Sequence, residues 1–249
     1  MSCNKCNPQV LDIDFSMAFQ PIVDFANHKV WAYETLVRGV NNEPAGFILS
    51  QINESRIHSF DQTIRTRAIR LANSLNFTEL LSINFLPNAV YKPENCIRST
   101  LAVCDEVGFD KKRIMFEVTE AEKITDHQHL RNIFKEYKRH GFLTAIDDFG
   151  AGYSGLNLLA EWQPDVIKLD MNLIRDIHDN KTKQLIVKGI IGVCDGLGIQ
   201  VVAEGIETVE ELGVLVDLGV NLMQGYYFAK PLFEHLPEVP ASCYQLTKH

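Results

Sequence analysis

No stretch of the 249 residues approaches the apolar length of a membrane span. The N-terminus lacks the apolar core of a signal peptide. We therefore expect a cytoplasmic protein with no membrane segment on this chain. The net charge of −8 is spread along the sequence, and no basic stripe suggests a nucleic-acid duplex partner. An acidic protein that binds a phosphate must then do so locally, through metal or a few placed cations. Cysteines are few. Cys3, Cys6, Cys96, Cys104, Cys194 and Cys243 are too scattered for a disulfide framework, which fits a reducing compartment. Cys3 and Cys6 form a C-x-x-C, but no second pair or histidine follows nearby. A frayed terminus is a better reading than a zinc site. No low-complexity segment and no Pro/Ser-rich linker divides the chain. Its length suits one large α/β barrel or two small domains.

What is present is a regular alternation. The text from Phe15 to Asp24 reads as a strand containing Gln20-Pro21, and a proline there suggests an edge or a bend. Val30 to Arg38 is a second strand. The link between them is short enough for an antiparallel hairpin. Helical spacing follows in two segments between Phe47 and Asn76, with Ile57, Phe60, Ile64, Ala68 and Leu71 on one face. Further strands are predicted over Leu80–Phe85, Arg113–Glu120, Leu143–Asp147, Asp165–Asp170, Ile199–Gly205 and Leu222–Phe228, with helical segments between them. Eight strands in this order predict a modified TIM (β/α)₈ barrel with an antiparallel first strand. The rival is an open doubly wound sheet. Nothing after the first strand resembles G-x-G-x-x-G, which counts against it. We expect the barrel domain to span 15–235, with tails over 1–14 and 236–249.

The strands are apolar until they meet a polar residue near the C-terminal end. In order these are Gln20, Glu34, Asn84, Glu117, Asp147 with Asp148, Lys168 with Asp170, Glu204 and Gln224. In such a barrel these ends share the face where active sites are built. A single strand-end Asn or Asp is usually a loop hydrogen-bonder or a cap, but a whole ring of them is hard to reach by chance. Asp147 and Asp148 are adjacent, so on a regular strand they would point to opposite faces. They can converge only if the strand has ended and the backbone turns. Otherwise Asp148 or Ser154 is simply a helix cap. The set contains no histidine or cysteine, and an all-oxygen field suits Mg²⁺ or Mn²⁺. That many carboxylates could hold two ions, which favours in-line attack on a phosphorus ester. Lys168 could neutralise charge on an attacking or leaving oxygen.

These residues also resemble a known family. Glu34-Thr35-Leu36-Val37-Arg38 is similar to the Glu-Ala-Leu-x-Arg signature of the EAL domain, and Gln20-Pro21-Ile22-Val23 to its opening motif. Phe116-Glu117-Val118-Thr119-Glu120 resembles Glu-x-Thr-Glu. Asp147-Asp148-Phe149-Gly150-Ala151-Gly152-Tyr153-Ser154 resembles Asp-Asp-Phe-Gly-x-Gly-x-Ser. Lys168-Leu169-Asp170, Glu204-Gly205-Ile206-Glu207-Thr208 and Gln224-Gly225-Tyr226 with Pro231 complete the series. The resemblance implies the barrel and hydrolysis of cyclic di-GMP to linear pGpG with two Mg²⁺ or Mn²⁺ ions. By the same resemblance, Glu34, Asn84, Glu117 and Asp147 hold one metal. Asp147 bridges to a second served by Asp148 and Glu204. Glu204 and Lys168 handle the water. Gln20, Leu36, Arg38, Gln224 and Pro231 contact the nucleotide, and Glu120 and Glu207 support the loop after Asp148. A homodimer is also in keeping with the family. Thr35 departs from the signature alanine and Gly39 from the bulky residue that often follows the arginine. Strand alternation turns Thr35 away from Glu34, so a packing adjustment is expected there. Two other readings remain. One is a non-catalytic cyclic-di-GMP receptor or protein-interaction module on the same fold. The other is a different metal-dependent barrel enzyme, such as a lyase. The intact ligand set argues against the first, and the motif series against the second.

Overall fold

The structure, a computed structural model, describes residues 13–119, 127–152 and 155–245. The strands are β1 (Phe15–Asp24), β2 (Lys29–Gly39), β3 (Leu80–Asn84), β4 (Ile114–Thr119), β5 (Leu143–Phe149), β6 (Val166–Leu169), β7 (Gln200–Ala203), β8 (Leu222–Met223) and β9 (Leu232–Phe233). The helices are α1 (Ala45–Leu49), α2 (Ile57–Ser74), α3 (Pro93–Cys96), α4 (Arg98–Val107), α5 (His127–Arg139), α6 (Gly155–Glu161), α7 (Met171–Ile174), α8 (Lys181–Leu197) and α9 (Val209–Asp217). Among the described residues no helix is long and apolar enough to cross a membrane.

Strands β2 to β8 pair in parallel in chain order. β1 runs antiparallel to both β2 and β8 and so closes the ring, as the hairpin reading requires. One strand was not foreseen: β9 pairs antiparallel with β1 at Ala18 and Phe19. On that edge β1 meets β9 at Phe19 and β8 only from Val23 onward. Pro21 falls in the gap between the two pairings, next to a register shift at Ile22/Val23. A residue with no N–H fits where no second partner waits.

Several expected strands differ by a residue or two at their ends, β7 (Gln200–Ala203) stopping short of the expected Gly205, and the last differs most. The last was predicted over Leu222–Phe228 but holds sheet geometry only to Met223. Beyond it the chain turns onto the loop after β7. Ile206 donates its N–H to the Gln224 carbonyl and Tyr227 donates to the Ile206 carbonyl. Gly225 crosses so closely that a Cβ there would lie 2.1 Å from the Ile206 carbonyl oxygen. β5, by contrast, continues through Phe149.

Two apolar layers surround the sheet. The larger core lies between strands and helices and is rich in aromatic pairs such as Phe85–Phe116 and Phe116–Tyr137. A small separate cluster is contributed by alternate strand positions: Ile22, Ala32, Met115, Ala145, Val166, Val202 and Leu222. It is the packed floor of the barrel. Side chains repeat every second residue on one face of a strand. Moving two positions along from each floor residue therefore reaches the next layer. That step leads to Gln20, Glu34, Glu117, Asp147, Lys168, Glu204 and Gln224. The polar ring is stacked directly on an apolar one.

Candidate active site

Lys168 is the centre of the ring and is fully buried. Its Nζ lies 2.7 Å from Glu204 Oε1, 3.0 Å from Glu117 Oε2, 3.1 Å from Asp147 Oδ1 and 3.4 Å from Glu34 Oε2. Four carboxylates thus share one ammonium. Burial alone would lower the lysine pKa. Asp147, Glu117, Glu204 and Glu34 outweigh it, and the group is held well above its ordinary value. For Glu117, Glu204 and Asp148 the balance runs the other way. Burial pushes Glu117 up to about 8, with the Lys168 charge opposing and those of Glu34 and Asp147 adding. Burial likewise raises Glu204 well above its usual range despite Lys168. Asp148 is pushed up to about 6 by burial, then by Asp147 and Asp170. One lysine is too little positive charge for this site, and a divalent cation would supply the remainder.

Amides and a hydroxyl orient the carboxylates. Asn84 Nδ2 donates to Glu34 Oε1 at 3.0 Å, and Gln224 Nε2 donates to Glu34 Oε2 at 2.7 Å. Ser82 Oγ donates to Glu117 Oε1. Ser82 was not anticipated as part of the site, yet it sits two residues before Asn84 on the same face of β3. That spacing was the available signal.

The Asp147–Asp148 pair is resolved differently from either expectation. β5 neither ends at Asp147 nor yields only a cap. It bulges: pairing with β6 shifts register between Ile146 and Phe149, and Asp148 takes a left-handed φ of 54°. A bulge inserts an extra residue and re-aims a side chain, so neighbours can face the same way. Asp148 N–H donates to Asp147 Oδ1 at 3.0 Å.

Among the described residues, two triads of carboxylates come within metal-holding distance. Glu34, Glu117 and Asp147 form one; Asp147, Asp148 and Glu204 form the other. In each, one ligand oxygen per residue lies within 4.8 Å of the others. Asp147 belongs to both. The donors are all oxygen, so the residues present fit hard divalent cations.

The ring opens into a cavity of about 240 Å³ lined by Gln20, Glu34, Asp148, Glu204, Glu207 and Gln224, together with Met171, Gly205, Gly225 and Tyr226. The last four had not been singled out as site residues. Gly205 has a φ of +69°, and a Cβ there would lie 2.4 Å from the Met171 Cβ. That contact seats α7 against the loop after β7. Gln20 is buried and donates from Nε2 to the Ala229 carbonyl. Leu36, Arg38 and Pro231 are not part of the cavity lining. Leu36 pairs across from Ala18, which also pairs with Phe233, so Leu36 and β9 flank the same stretch of β1. Arg38 donates to the Val37 carbonyl at 2.8 Å. Glu207 makes an ion pair of 2.7 Å with Arg175 on the rim. Asp170 caps α7, accepting from the Asn172 N–H. Thr35 is buried and its hydroxyl donates to the Ser82 carbonyl at 2.7 Å, which absorbs the change from alanine. Glu120, Cys3, Cys6 and Ser154 lie outside the described residues.

Fold and site together define a (β/α)₈-type barrel with an acidic, lysine-centred centre at the carboxyl ends of its strands. The chain belongs to the EAL domain family, whose sequence model matches residues 7–231. Among solved structures it resembles a standalone versatile EAL protein from Vibrio cholerae O395 in its c-di-GMP-bound form. The two are 51% identical with a TM-score of 0.91, over 94% of this chain and 99% of that one. It also resembles Klebsiella pneumoniae BlrP1 in a manganese/cy-diGMP complex, at 37% identity and a TM-score of 0.87, over 93% of this chain and 60% of that one. Two curated relatives come from Escherichia coli K12. The blue light- and temperature-regulated antirepressor BluF is 32% identical over 91% of this chain and 57% of its own length. The cyclic di-GMP phosphodiesterase PdeR is 38% identical over 52% of this chain and 20% of its own. The chain therefore spans little more than half of the one and a fifth of the other.

Proposed function

We propose that this chain hydrolyses cyclic di-GMP to linear pGpG. The observation that carries the reading is the complete acidic ring around Lys168, with Asp147 common to both carboxylate triads. The relatives bound to, or named for, cyclic di-GMP supply the substrate class. Glu34, Asn84, Glu117 and Asp147 would hold one divalent ion, and Asp147, Asp148 and Glu204 a second. Mg²⁺ and Mn²⁺ both suit the donors. When bound, such ions stabilise charge on the phosphoryl oxygens and ease deprotonation of the attacking water.

The protein's own groups do the rest. Glu204 accepts the proton of the water that attacks phosphorus. Its raised affinity for protons suits that task. Lys168 holds Glu204 in place and carries positive charge toward the oxygen that leaves as the ring opens. Gln20, Leu36, Arg38, Gln224 and Pro231 contact the nucleotide, and Glu207 steadies the rim. The cavity is smaller than the roughly 300–1,000 Å³ of pockets that swallow a drug-sized ligand. It suits a phosphodiester group, with the bases resting on the open rim. A second reading, a receptor that binds cyclic di-GMP without cleaving it, draws on the relative named for antirepressor activity.

Mixing purified protein with cyclic di-GMP and Mg²⁺ and resolving products by chromatography decides between them. Linear dinucleotide supports hydrolysis. Unchanged but bound ligand supports the receptor. If neither product nor bound ligand is found, cyclic di-GMP is not the ligand.

A further inference from the structure

A charged pair is buried behind the site, in the layer between strands and helices. Asp61 and Arg65 stand one turn apart on α2 and are 1% and 0% exposed. Arg65 Nη2 lies 2.7 Å from Asp61 Oδ2, and Nη1 donates to the Tyr137 hydroxyl on α5 at 2.6 Å. The guanidinium carbon lies 5.3 Å from the Phe85 ring centre, 5.0 Å from that of Phe116 and 5.5 Å from that of Tyr137. Asp61 Oδ1 accepts the Leu86 N–H at 2.9 Å. One turn earlier on α2, His58 Nδ1 lies 2.6 Å from the Ala89 carbonyl oxygen.

Phe85 follows Asn84 and Phe116 precedes Glu117, so the rings that sandwich Arg65 adjoin two ring residues of the site. Their backbones are joined as well, since Phe85 N–H donates to the Glu117 carbonyl at 3.0 Å. On a strand, neighbouring side chains point to opposite faces. Holding Phe85 and Phe116 on the helix side therefore sets the angle at which Asn84 and Glu117 enter the barrel. A buried ion pair is a poor source of stability, because desolvation offsets the attraction. A guanidinium is nonetheless well suited to fixing position. It is planar, stacks on aromatic faces and donates in fixed directions.

We propose that Asp61 and Arg65, with Tyr137, are positioning residues for the metal-binding edge formed by Asn84 and Glu117. The proposal rests on the metal-dependent reading of the site. Groups behind metal ligands commonly alter affinity by about 10–100-fold when replaced.

The test is the double variant Asp61→Leu with Arg65→Met, which fills the space with apolar groups and leaves no orphaned charge. Mn²⁺ binding to the full chain is measured by calorimetry, beside thermal melting of the metal-free protein. We expect melting within a few degrees of wild type and Mn²⁺ affinity lowered by about 10–100-fold. The Mn²⁺ level for half-maximal hydrolysis should rise in parallel, with KM for cyclic di-GMP little changed. Arg65→Lys, which keeps the charge but not the plane, should fail to restore affinity. A folded double variant that binds Mn²⁺ like wild type overturns the proposal. Should the double variant not fold, Tyr137→Phe removes a single hydroxyl. Several-fold weaker Mn²⁺ binding at unchanged melting then supports the proposal, and unchanged binding overturns it. If wild type itself takes up no Mn²⁺, the metal reading falls and takes this inference with it. If wild type binds and the variants bind equally, only this inference falls.

Discussion

Replacing Lys168 with Met removes the ammonium at the centre of the carboxylate ring at little change in volume. Its Nζ contacts four carboxylates between 2.7 and 3.4 Å. Deleting one partner of a buried charged group costs about 3–5 kcal/mol when the remainder stays ionised. For a chain of this size that corresponds to about 6–20 °C in melting temperature. The loss should depend on pH in a defined direction. Without the lysine, the carboxylates take up protons in the folded state that the unfolded chain has already released. The folded pKa values of Glu117 and Glu204 are raised, so the stability they contribute is present at low pH and is lost as pH rises. If the variant holds one proton more than wild type, its deficit shrinks by about 1.4 kcal/mol per pH unit on acidification. Between about pH 8 and pH 5.5 that amounts to about 3 kcal/mol, most of the initial loss. Circular-dichroism melts of EDTA-treated protein at the two pH values read this directly. A large loss at pH 8 that fades at pH 5.5 is expected. A loss of equal size at both, or none at pH 8, would refute the idea that Lys168 is the countercharge of the ring.

Three further outcomes are expected. Asp147→Ala, which takes the shared member from both triads, should abolish product formation and Mg²⁺-dependent stabilisation together, as read by chromatography and melting. Glu204→Gln keeps volume but not charge. It should lose about 10²–10⁴-fold in turnover while binding cyclic di-GMP within about tenfold of wild type by calorimetry; joint collapse of binding and turnover would make it a holding residue. The wild-type metal-free protein should lose stability as pH rises from 5 to 8, because Glu117 and Asp148 titrate near 8 and 6 rather than at ordinary values. Added Mg²⁺ replaces those protons, so it should raise the melting temperature more at pH 8 than at pH 5; the reverse order would contradict the raised values.

Much of this was legible before any coordinates. The period-two pattern located the strands, and the polar residue ending each one located the mouth. That worked because floor and ring are successive layers of the same faces, as with Ala32 and Glu34 or Val166 and Lys168. What stayed hidden was set by long-range geometry. The bulge at Asp148 depends on the register against β6, which residue order alone does not encode. The short β8 reflects the close crossing at Gly225, a contact with the loop after β7. Asp61 and Arg65 sit among polar residues of α2 and resemble a solvated helix face. Charged residues are almost never fully buried unless paired, and the partners that bury them come from α5, β4 and the end of β3.

The antiparallel first strand also governs the order in which the ring can form. β1 is completed by pairings of Val23 with Met223 and of Ala18 with Phe233, partners some two hundred residues apart. During synthesis at about 5–20 residues per second, the N-terminal hairpin waits on the order of 10–40 s for them. Throughout that interval one edge of β1 stands bare, rich in Phe, Met, Ile and Val. Such an edge invites pairing with another chain. Pro21 lies in the middle of it and offers no N–H to a stranger. The residue that leaves a gap in the finished barrel is thus one with which a passing strand cannot pair in full.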